Sequence, residues 1–94
     1  MAFELKYAPE AVAQLKQFRA FDRAAILDRI EQVLAVNPTL ESKATVKLLT
    51  QPAPTQYGLP VGEFRVFYDV HDAAVQIIQI VSKEQSIRYL GESP

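Results

Sequence analysis

Three basic residues and a tyrosine in the second half of the chain carry side chains suited to chemistry on a phosphodiester. Arg65 lies in the middle of an apolar and aromatic run. The next such run is followed by Lys83, Arg88 and Tyr89. Guanidinium and ammonium groups stabilise negative charge on phosphoryl oxygens, and a tyrosine can donate a hydrogen bond or transfer a proton. Brought together in one groove, these groups would suit the binding or cleavage of a nucleic-acid backbone.

A purely structural interpretation of the same residues stays open. Arg65 could form an ion pair with Glu63 or Asp69, which would share its face of a strand. Tyr89 could simply pack at the edge of a sheet. On the pattern alone, this structural interpretation is favoured.

The sequence offers little for other kinds of catalysis. It has no cysteine, which excludes disulfides, Cys-based zinc sites and thiol nucleophiles. The single histidine, His71, lies in a predicted turn beside Asp72, where we expect it to be solvated. The carboxylates Glu63, Asp69 and Asp72 lack a metal-ligand spacing, and the glycines form no phosphate-binding loop. We therefore expect neither a metal ion nor a cofactor.

Length and composition predict one small globular domain over residues 1–94. Of these 94 residues, 49% are apolar, which is typical of a folded chain. No apolar run reaches the roughly 18–20 residues of a membrane span, and no signal peptide is visible, so we expect a cytoplasmic protein with no membrane partner. Ten Lys and Arg against eleven Asp and Glu give a net charge of −1, which argues against nucleic-acid binding through overall charge.

The hydrophobic pattern predicts an α+β fold, with two N-terminal helices packed on a twisted antiparallel sheet of about four strands. Residues 3–7 alternate apolar and charged side chains, as a half-buried strand does. Two amphipathic helices follow, the first beginning at Pro9 and the second ending before Pro38.

Strand-like runs fill most of the second half of the chain. Residues 63–70 and 75–81 are rich in β-branched and aromatic side chains, and residues 71–74 between them predict a hairpin loop. Shorter strands are predicted over residues 56–59 and 87–90. Residues 39–56 are assigned mainly as loop, in which the apolar patch 46–49 is a short strand or a docking turn.

The hairpin register decides which side chains share a face of the sheet. With Val70 opposite Val75, one face is nearly all apolar and should meet the helices. Its members are Phe64, Val66, Tyr68, Val70, Val75, Ile77, Gln79 and Val81. The opposite face is mixed and left open to solvent or to a partner. Its members are Glu63, Arg65, Phe67, Asp69, Gln76, Ile78, Ile80 and Ser82.

The segment 57–70, which reads YGLPVGEFRVFYDV, resembles a motif of the RelE/ParE superfamily of bacterial toxins. Members typically read Y-[RK]-L-R-V-G-[DE]-[YF]-R-V-[IF]-Y-[DE]-V here. The order and spacing of the other predicted elements agree over essentially the whole chain. The resemblance implies two helices on a twisted antiparallel sheet and the role of the toxin in a type II toxin–antitoxin pair.

The resemblance also implies a reaction and its residues. RelE-like members enter the ribosomal A site and cut mRNA by attack of the 2′-hydroxyl on the adjacent phosphate, with basic residues and often a tyrosine in place of a histidine pair. Carried over by position, the catalytic residues would be Arg65, Lys83 and Tyr89. The RNA-binding positions would be Lys47, Gly58, Pro60 and Arg88. The implied partners are a cognate antitoxin, the ribosome and mRNA, with operator DNA contacted only through the antitoxin.

Gly58 and Pro60 depart from the family motif, because members usually carry basic residues at these two positions. Losing two cations weakens phosphate binding and charge stabilisation, so we expect an attenuated endoribonuclease. Two alternatives stay open: a ParE-like inhibitor of DNA gyrase, and a non-catalytic module that only binds the antitoxin and acts as a co-repressor.

Overall fold

The computed structural model describes residues 2–42 and 45–90, which form one five-stranded sheet and three helices. The predicted α+β fold is confirmed. In chain order the elements are β1 (Glu4–Tyr7), α1 (Pro9–Gln17), α2 (Ala20–Val33), β2 (Lys47–Leu48), β3 (Tyr57–Val61), β4 (Phe64–His71), β5 (Ala74–Ser82) and α3 (Lys83–Tyr89). Residues 43 and 44, within the predicted loop, lie outside the described residues. Among the described helices, none has the length and apolar character required to cross a membrane.

The sheet has five strands, in the order β1-β5-β4-β3-β2, and it is mixed rather than purely antiparallel. The strands β2 to β5 pair antiparallel, whereas β1 pairs parallel to β5. The two helices that follow β1 carry the chain across the sheet, and such a crossover permits parallel pairing. The prediction of a short strand within residues 46–49 corresponds to β2.

The prediction of a last strand over residues 87–90 is wrong, because this segment belongs to α3 and its C-terminal end. Ser82 and Gln85 form a capping box: the Ser82 hydroxyl accepts from the Gln85 backbone N–H, and the Gln85 side chain accepts from the Ser82 N–H. Such a box satisfies two N–H groups at the start of a helix. The apolar Ile87, which suggested a strand, is 55% exposed on this helix.

The predicted pairing of Val70 with Val75 is confirmed, but the hairpin turn is shorter than predicted. His71 pairs with Ala74, so the turn consists of Asp72 and Ala73, with Asp72 at a φ of 55°. Asp is among the residues that tolerate this left-handed conformation, which tight hairpin turns require.

A bulge in β5 reverses the predicted faces of the strand beyond it. Tyr68 pairs with Ile77, whereas Phe67 pairs with Gln79, so Ile78 is an extra residue. Beyond the bulge, Gln79 and Val81 share the face of Phe67, and Ile80 is fully buried in the core. The predicted placement of Gln79 and Val81 on the helix-covered face, and of Ile80 on the open face, is therefore wrong.

The core lies between the sheet and the first two helices. It is built from buried side chains of α1 and α2 (Ala11, Leu15, Ile26, Ile30), of the loop that follows α2 (Leu34) and of the strand region (Val46, Leu59, Val66, Tyr68, Val75, Ile77, Ile80). Within it, the Tyr68 ring stacks on Tyr57 at a centroid distance of 5.5 Å, and its hydroxyl donates to the carbonyl of Pro38 at 2.5 Å. These contacts join β4 to β3 and to the segment after α2.

The side chain of Gln14 joins α1 to β5 where β1 has already ended. The last β1 pairing is that of Tyr7 with Ile77, and the next residue, Ala8, donates to the Ile77 carbonyl at 2.9 Å. Further along β5, the Ile80 N–H donates to the Gln14 Oε1 at 2.6 Å. The Gln14 amide thus accepts the backbone N–H that a longer β1 would have paired with, and it holds α1 beside the part of β5 that extends beyond β1.

Candidate functional site

A cavity of about 190 Å³ lies on the sheet face opposite the core, between β2, β3 and β4 on one side and α3 on the other. Five of its lining residues share one face of the sheet through their pairing: Lys47 lies opposite Gly58, Gly58 opposite Phe67, and Pro60 opposite Arg65. The remaining lining residues are Leu49, Ser86 and Leu90. We call this space the Arg65 cavity.

Arg65 is held in the cavity wall by the backbone rather than by a carboxylate. Its Nη1 donates to the carbonyls of Gly62 at 3.0 Å and Phe64 at 2.8 Å. Within the described residues it forms no ion pair with Glu63 or Asp69, contrary to the structural interpretation of the sequence. The Asp69 carboxylate instead accepts from the backbone N–H of Gln56 at 2.7 Å. A guanidinium fixed through one nitrogen can still offer its other N–H groups to an anion.

The two positions that depart from the family motif both line this cavity. A Cβ at Gly58 would lie 3.4 Å from the Phe67 ring and 3.6 Å from the Leu49 side chain, so the site would accept a side chain with little adjustment. Pro60 lies beyond the last β2–β3 pair, so β3 has no ladder partner on that side at this position. Proline is tolerated at such edge positions. Among the described lining residues, the cations of the cavity are Arg65 and Lys47.

Tyr89 borders the cavity through its ring. The rings of Tyr89 and Phe67 lie 4.8 Å apart between centroids, at an angle of 36°, and Phe67 is itself buried. Burial is the main cause that raises the pKa of the Tyr89 phenol, with a further contribution from the Asp69 carboxylate, while a hydrogen bond with the Thr55 side chain acts in the opposite direction. A phenol with a raised pKa stays protonated at neutral pH and can donate a proton or a hydrogen bond.

The other two basic residues predicted at the site lie outside the Arg65 cavity. Arg88 lines a neighbouring cleft between α1 and α3, which Tyr89 also lines. Lys83 begins α3, where its backbone N–H donates to the Glu63 carbonyl at 2.8 Å and its side chain is exposed. The structure thus brings together Arg65, Lys47, Gly58 and Pro60, places Tyr89 and Arg88 next to them, and leaves Lys83 apart.

Several residues of the site were missed at the sequence level. The sequence pattern placed Phe67 on the correct face of the sheet but gave it no role. In the structure its ring separates the Arg65 cavity from Tyr89. Thr55 lies in the segment assigned as loop, yet it is only 2% exposed. Ser86 was missed because the helix α3, to which it belongs, was not predicted. Its hydroxyl donates to the Lys83 carbonyl at 2.6 Å. The spacing of Ser82 and Gln85 is a capping-box signal that could have revealed α3 and hence Ser86.

The single histidine lies away from this site. His71 lies at the β4–β5 turn, where its Nε2 is 3.7 Å from the Asp72 carboxylate and both side chains are exposed. Across residues 2–42 and 45–90, no group of three or more His, Asp or Glu side chains could hold a metal ion. The side chains that the Arg65 cavity itself offers for chemistry are a fixed guanidinium and a lysine, with the protonated phenol of Tyr89 on the other side of Phe67.

Comparison with known proteins gives a consistent family and fold. Residues 5–87 match the sequence profile of the ParE toxin of the type II toxin–antitoxin system parDE. A search of curated protein sequences gave no match. Among solved structures, the free Escherichia coli toxin RelE, in a mutant form, is similar at a TM-score of 0.73 and 18% identity, covering 97% of this chain and 96% of that one.

Two further structures show the same fold. The RelBE2 toxin–antitoxin complex of Mycobacterium tuberculosis contains a chain with a TM-score of 0.71 and 16% identity, and the match covers 87% of this chain and 99% of that one. The YoeB dimer from Staphylococcus aureus gives a TM-score of 0.58 and 19% identity, covering 86% and 97% of the two chains.

Proposed function

This chain belongs to the ParE toxin family of type II toxin–antitoxin systems, and from that premise we propose that its Arg65 cavity cuts mRNA on the ribosome. The observation that carries the proposal is the fixed guanidinium of Arg65. Two backbone carbonyls hold its Nη1 in a cavity that Lys47 also lines and that Tyr89 borders. Preorganised cations stabilise a phosphorane-like transition state more than they stabilise the ground state.

The reaction follows from the groups present. The 2′-hydroxyl of the RNA attacks the adjacent phosphorus, its proton passes to water, and a 2′,3′-cyclic phosphate forms as the bond to the 5′-oxygen breaks. Arg65 neutralises the charge that grows on the non-bridging oxygens. Tyr89 lies across Phe67 from the cavity, so its role as the acid that protonates the leaving 5′-oxygen requires the RNA strand to extend past Phe67; its raised pKa keeps the phenol protonated, and it recovers its proton from water. The catalytic role of Lys83 stays a prediction, since its side chain lies outside the cavity.

Mapping of cleavage products tests this proposal. The purified toxin is incubated with ribosomes carrying a defined mRNA and an empty A site, and the 5′ and 3′ ends of the RNA are sequenced. We expect cuts within the A-site codon that leave 2′,3′-cyclic phosphate ends. The proposal would be overturned if the mRNA stayed intact at toxin concentrations that arrest growth in cells.

A second candidate, inhibition of DNA gyrase, is favoured by the loss of cations at Gly58 and Pro60. These residues leave Arg65 and Lys47 as the cations of the described cavity lining, which is a sparse set for binding RNA phosphates. A supercoiling assay with purified gyrase distinguishes the two candidates. Inhibited supercoiling together with intact ribosome-bound mRNA would favour the gyrase inhibitor.

A cognate antitoxin is the partner that the family assignment requires, and any contact with operator DNA would be made through it. The alternative of a non-catalytic co-repressor predicts that the catalytic residues have no separate function. Toxicity is therefore measured for variants of Arg65, Lys83 and Tyr89 whose affinity for the antitoxin is unchanged. If these variants lose toxicity but keep antitoxin and operator binding, the co-repressor interpretation is excluded.

A further inference from the structure

A second cavity, of about 430 Å³, lies between α1 and α3 and is separated from the Arg65 cavity by the contacting rings of Phe67 and Tyr89. Tyr89 lines this second cavity, and its ring contacts Phe67, which lines the first. The second cavity is lined chiefly by three amides, one guanidinium and two aromatic rings, contributed by Gln14, Gln17, Gln85, Arg88, Phe18 and Tyr89. We call it the glutamine cleft.

The three glutamines of the cleft differ in what their amides already bind. Both ends of the Gln14 amide are engaged, since its Oε1 accepts from the Ile80 N–H and its Nε2 donates to the Gln79 Oε1. Gln85 uses its Oε1 in the capping box of α3, which leaves its NH₂ group. Among the described residues, no protein hydrogen bond involves the side chain of Gln17. The cleft therefore presents one complete amide and one amide donor.

Such a set of groups fits a nucleotide better than a phosphate alone or an apolar ligand. An amide that offers both a donor and an acceptor can pair in two places with adenine, at N6 and N7. Single-stranded RNA bases also stack on aromatic side chains, and arginine contacts the phosphates between them. Gln17 and Arg88 supply the amide and the cation within one cleft. The rings of Phe18 and Tyr89, which already contact Phe64 and Phe67, offer their remaining surface for stacking.

We propose that the glutamine cleft binds an adenine nucleotide of the RNA strand that passes through the Arg65 cavity. This inference rests on the proposed endoribonuclease function and adds to it a base preference next to the cleaved phosphate. Gln17 recognises the base, the NH₂ group of Gln85 supplies a further donor, and Arg88 contacts a flanking phosphate. The wall formed by Phe67 and Tyr89 lies between the recognised base and the cleavage site.

Binding of short RNAs tests the inference directly. The probes are uridine pentamers, made uncleavable by 2′-deoxy substitution, in which one adenosine is placed at each position in turn. For the wild-type toxin we expect one of these positions to tighten binding by roughly ten-fold over the all-uridine pentamer. Gln17→Met, which keeps length and helix propensity, should abolish this preference. Gln32→Met, a change of an exposed glutamine on α2, is the matched control and should preserve it.

Arg88 and Arg65 variants separate this inference from the proposed function. Arg88→Met should weaken all pentamers to a similar extent and lower the slope of log affinity against log salt by about 0.7, as expected for one lost phosphate contact to a single strand. If Arg65→Ala abolishes mRNA cleavage while Gln17→Met leaves the adenosine preference intact, the inference is wrong and the proposed function stands. If Gln17→Met abolishes the preference but ribosome-bound mRNA stays intact, the glutamine cleft stands as an adenine-binding site for RNA, and the proposed cleavage function fails.

Two other outcomes overturn the inference. One is the absence of any adenosine preference in the wild-type protein, or of any pentamer binding at all. The other is a loss of antitoxin affinity in Gln17→Met with unchanged RNA binding, which would assign the glutamine cleft to a peptide segment of the antitoxin instead.

Discussion

Three tyrosines of this chain have hydroxyl groups whose pKa is raised above its ordinary value. Burial raises the pKa of Tyr7, Tyr68 and Tyr89, so all three phenols are neutral at physiological pH. For Tyr89 this excludes a role as a general base near pH 7 and leaves the role of acid or hydrogen-bond donor. For Tyr68 the neutral hydroxyl has a structural partner, the Pro38 carbonyl.

Replacing Tyr68 with Phe should destabilise the fold. The change leaves the Pro38 carbonyl without its buried donor, which costs about 1–3 kcal/mol of unfolding free energy. Urea denaturation provides the measurement, and Tyr57→Phe is the matched control in the stacked partner ring. Equal midpoints for the two variants would show that the hydroxyl bond contributes nothing beyond the ring packing.

The same residue predicts a loss of stability at alkaline pH. The folded-state pKa of Tyr68 is raised above its unfolded value of about 10, so its contribution is complete below pH 10 and declines as the pH rises beyond it. The free energy of unfolding should therefore fall more steeply from pH 9 to pH 11 in the wild-type protein than in Tyr68→Phe. A Tyr68→Phe curve parallel to the wild-type curve would contradict this assignment.

At the scale of elements, the pairing of the two long strands could be predicted from their hydrophobic pattern, whereas the bulge in β5 could not and the helix α3 was missed. The Val70–Val75 pairing followed from two β-rich runs and a short turn. The extra residue Ile78 leaves no mark in the apolar pattern, because Ile78 and its neighbours are all strand formers, so the faces beyond the bulge were reversed. The helix α3 was missed because Ile87 and Tyr89 suggested alternation while the capping signal at Ser82 was not used.

The site was predictable to the extent that the sheet register determines it. Arg65, Gly58 and Pro60 gather because their strands are neighbours and their pairing places them on one face. Lys83 and Arg88 were expected together, but on a helix they point about 140° apart, so only Arg88 lines a cavity next to Tyr89. The glutamine cleft needs two helices to meet, which no local pattern in the chain encodes.

The capping box of α3 should control the order of Tyr89. Ser82→Ala removes the side-chain acceptor for the Gln85 N–H and should destabilise the helix by about 1 kcal/mol. Gln85→Glu keeps the reciprocal bond and should have little effect. Amide hydrogen exchange over residues 83–89 measures the difference. Equal protection in both variants would mean that packing against Phe67, and not the cap, holds α3.

A cation restored on β3 should strengthen RNA binding. The cavity accepts a side chain at Gly58 with its Cβ 3.4 Å from the Phe67 ring, so Gly58→Arg adds a guanidinium beside Arg65 without displacing backbone. We expect tighter binding of uncleavable RNA and greater toxicity, with Gly58→Met as the control for the added bulk. Pro60→Arg combined with Gly58→Arg should increase the effect, and unchanged growth inhibition by the double variant would contradict attenuation.

At the scale of the whole molecule, a net charge of −1 is compatible with a local basic site. Within residues 2–42 and 45–90, the cations that line the two adjacent cavities are Arg65, Lys47 and Arg88. Three phosphate contacts to single-stranded RNA predict that log affinity falls with log salt at a slope of about 2. Titrations over roughly 50 to 300 mM KCl, a range in which the Debye length is about 10 Å, provide the slope. A slope near zero, or one above about 4, would place the RNA elsewhere on the surface.

The central claim is that Arg65 stabilises the transition state of mRNA cleavage, and a single-turnover rate on A-site-programmed ribosomes tests it most directly. We expect the wild-type toxin to cut the codon and Arg65→Ala to cut it at least 100-fold more slowly, because removal of one transition-state donor typically costs about that factor in rate. The control Arg29→Ala, on α2, should retain the wild-type rate. Equal rates for Arg65→Ala and the wild type, with both variants folded, would contradict the claim.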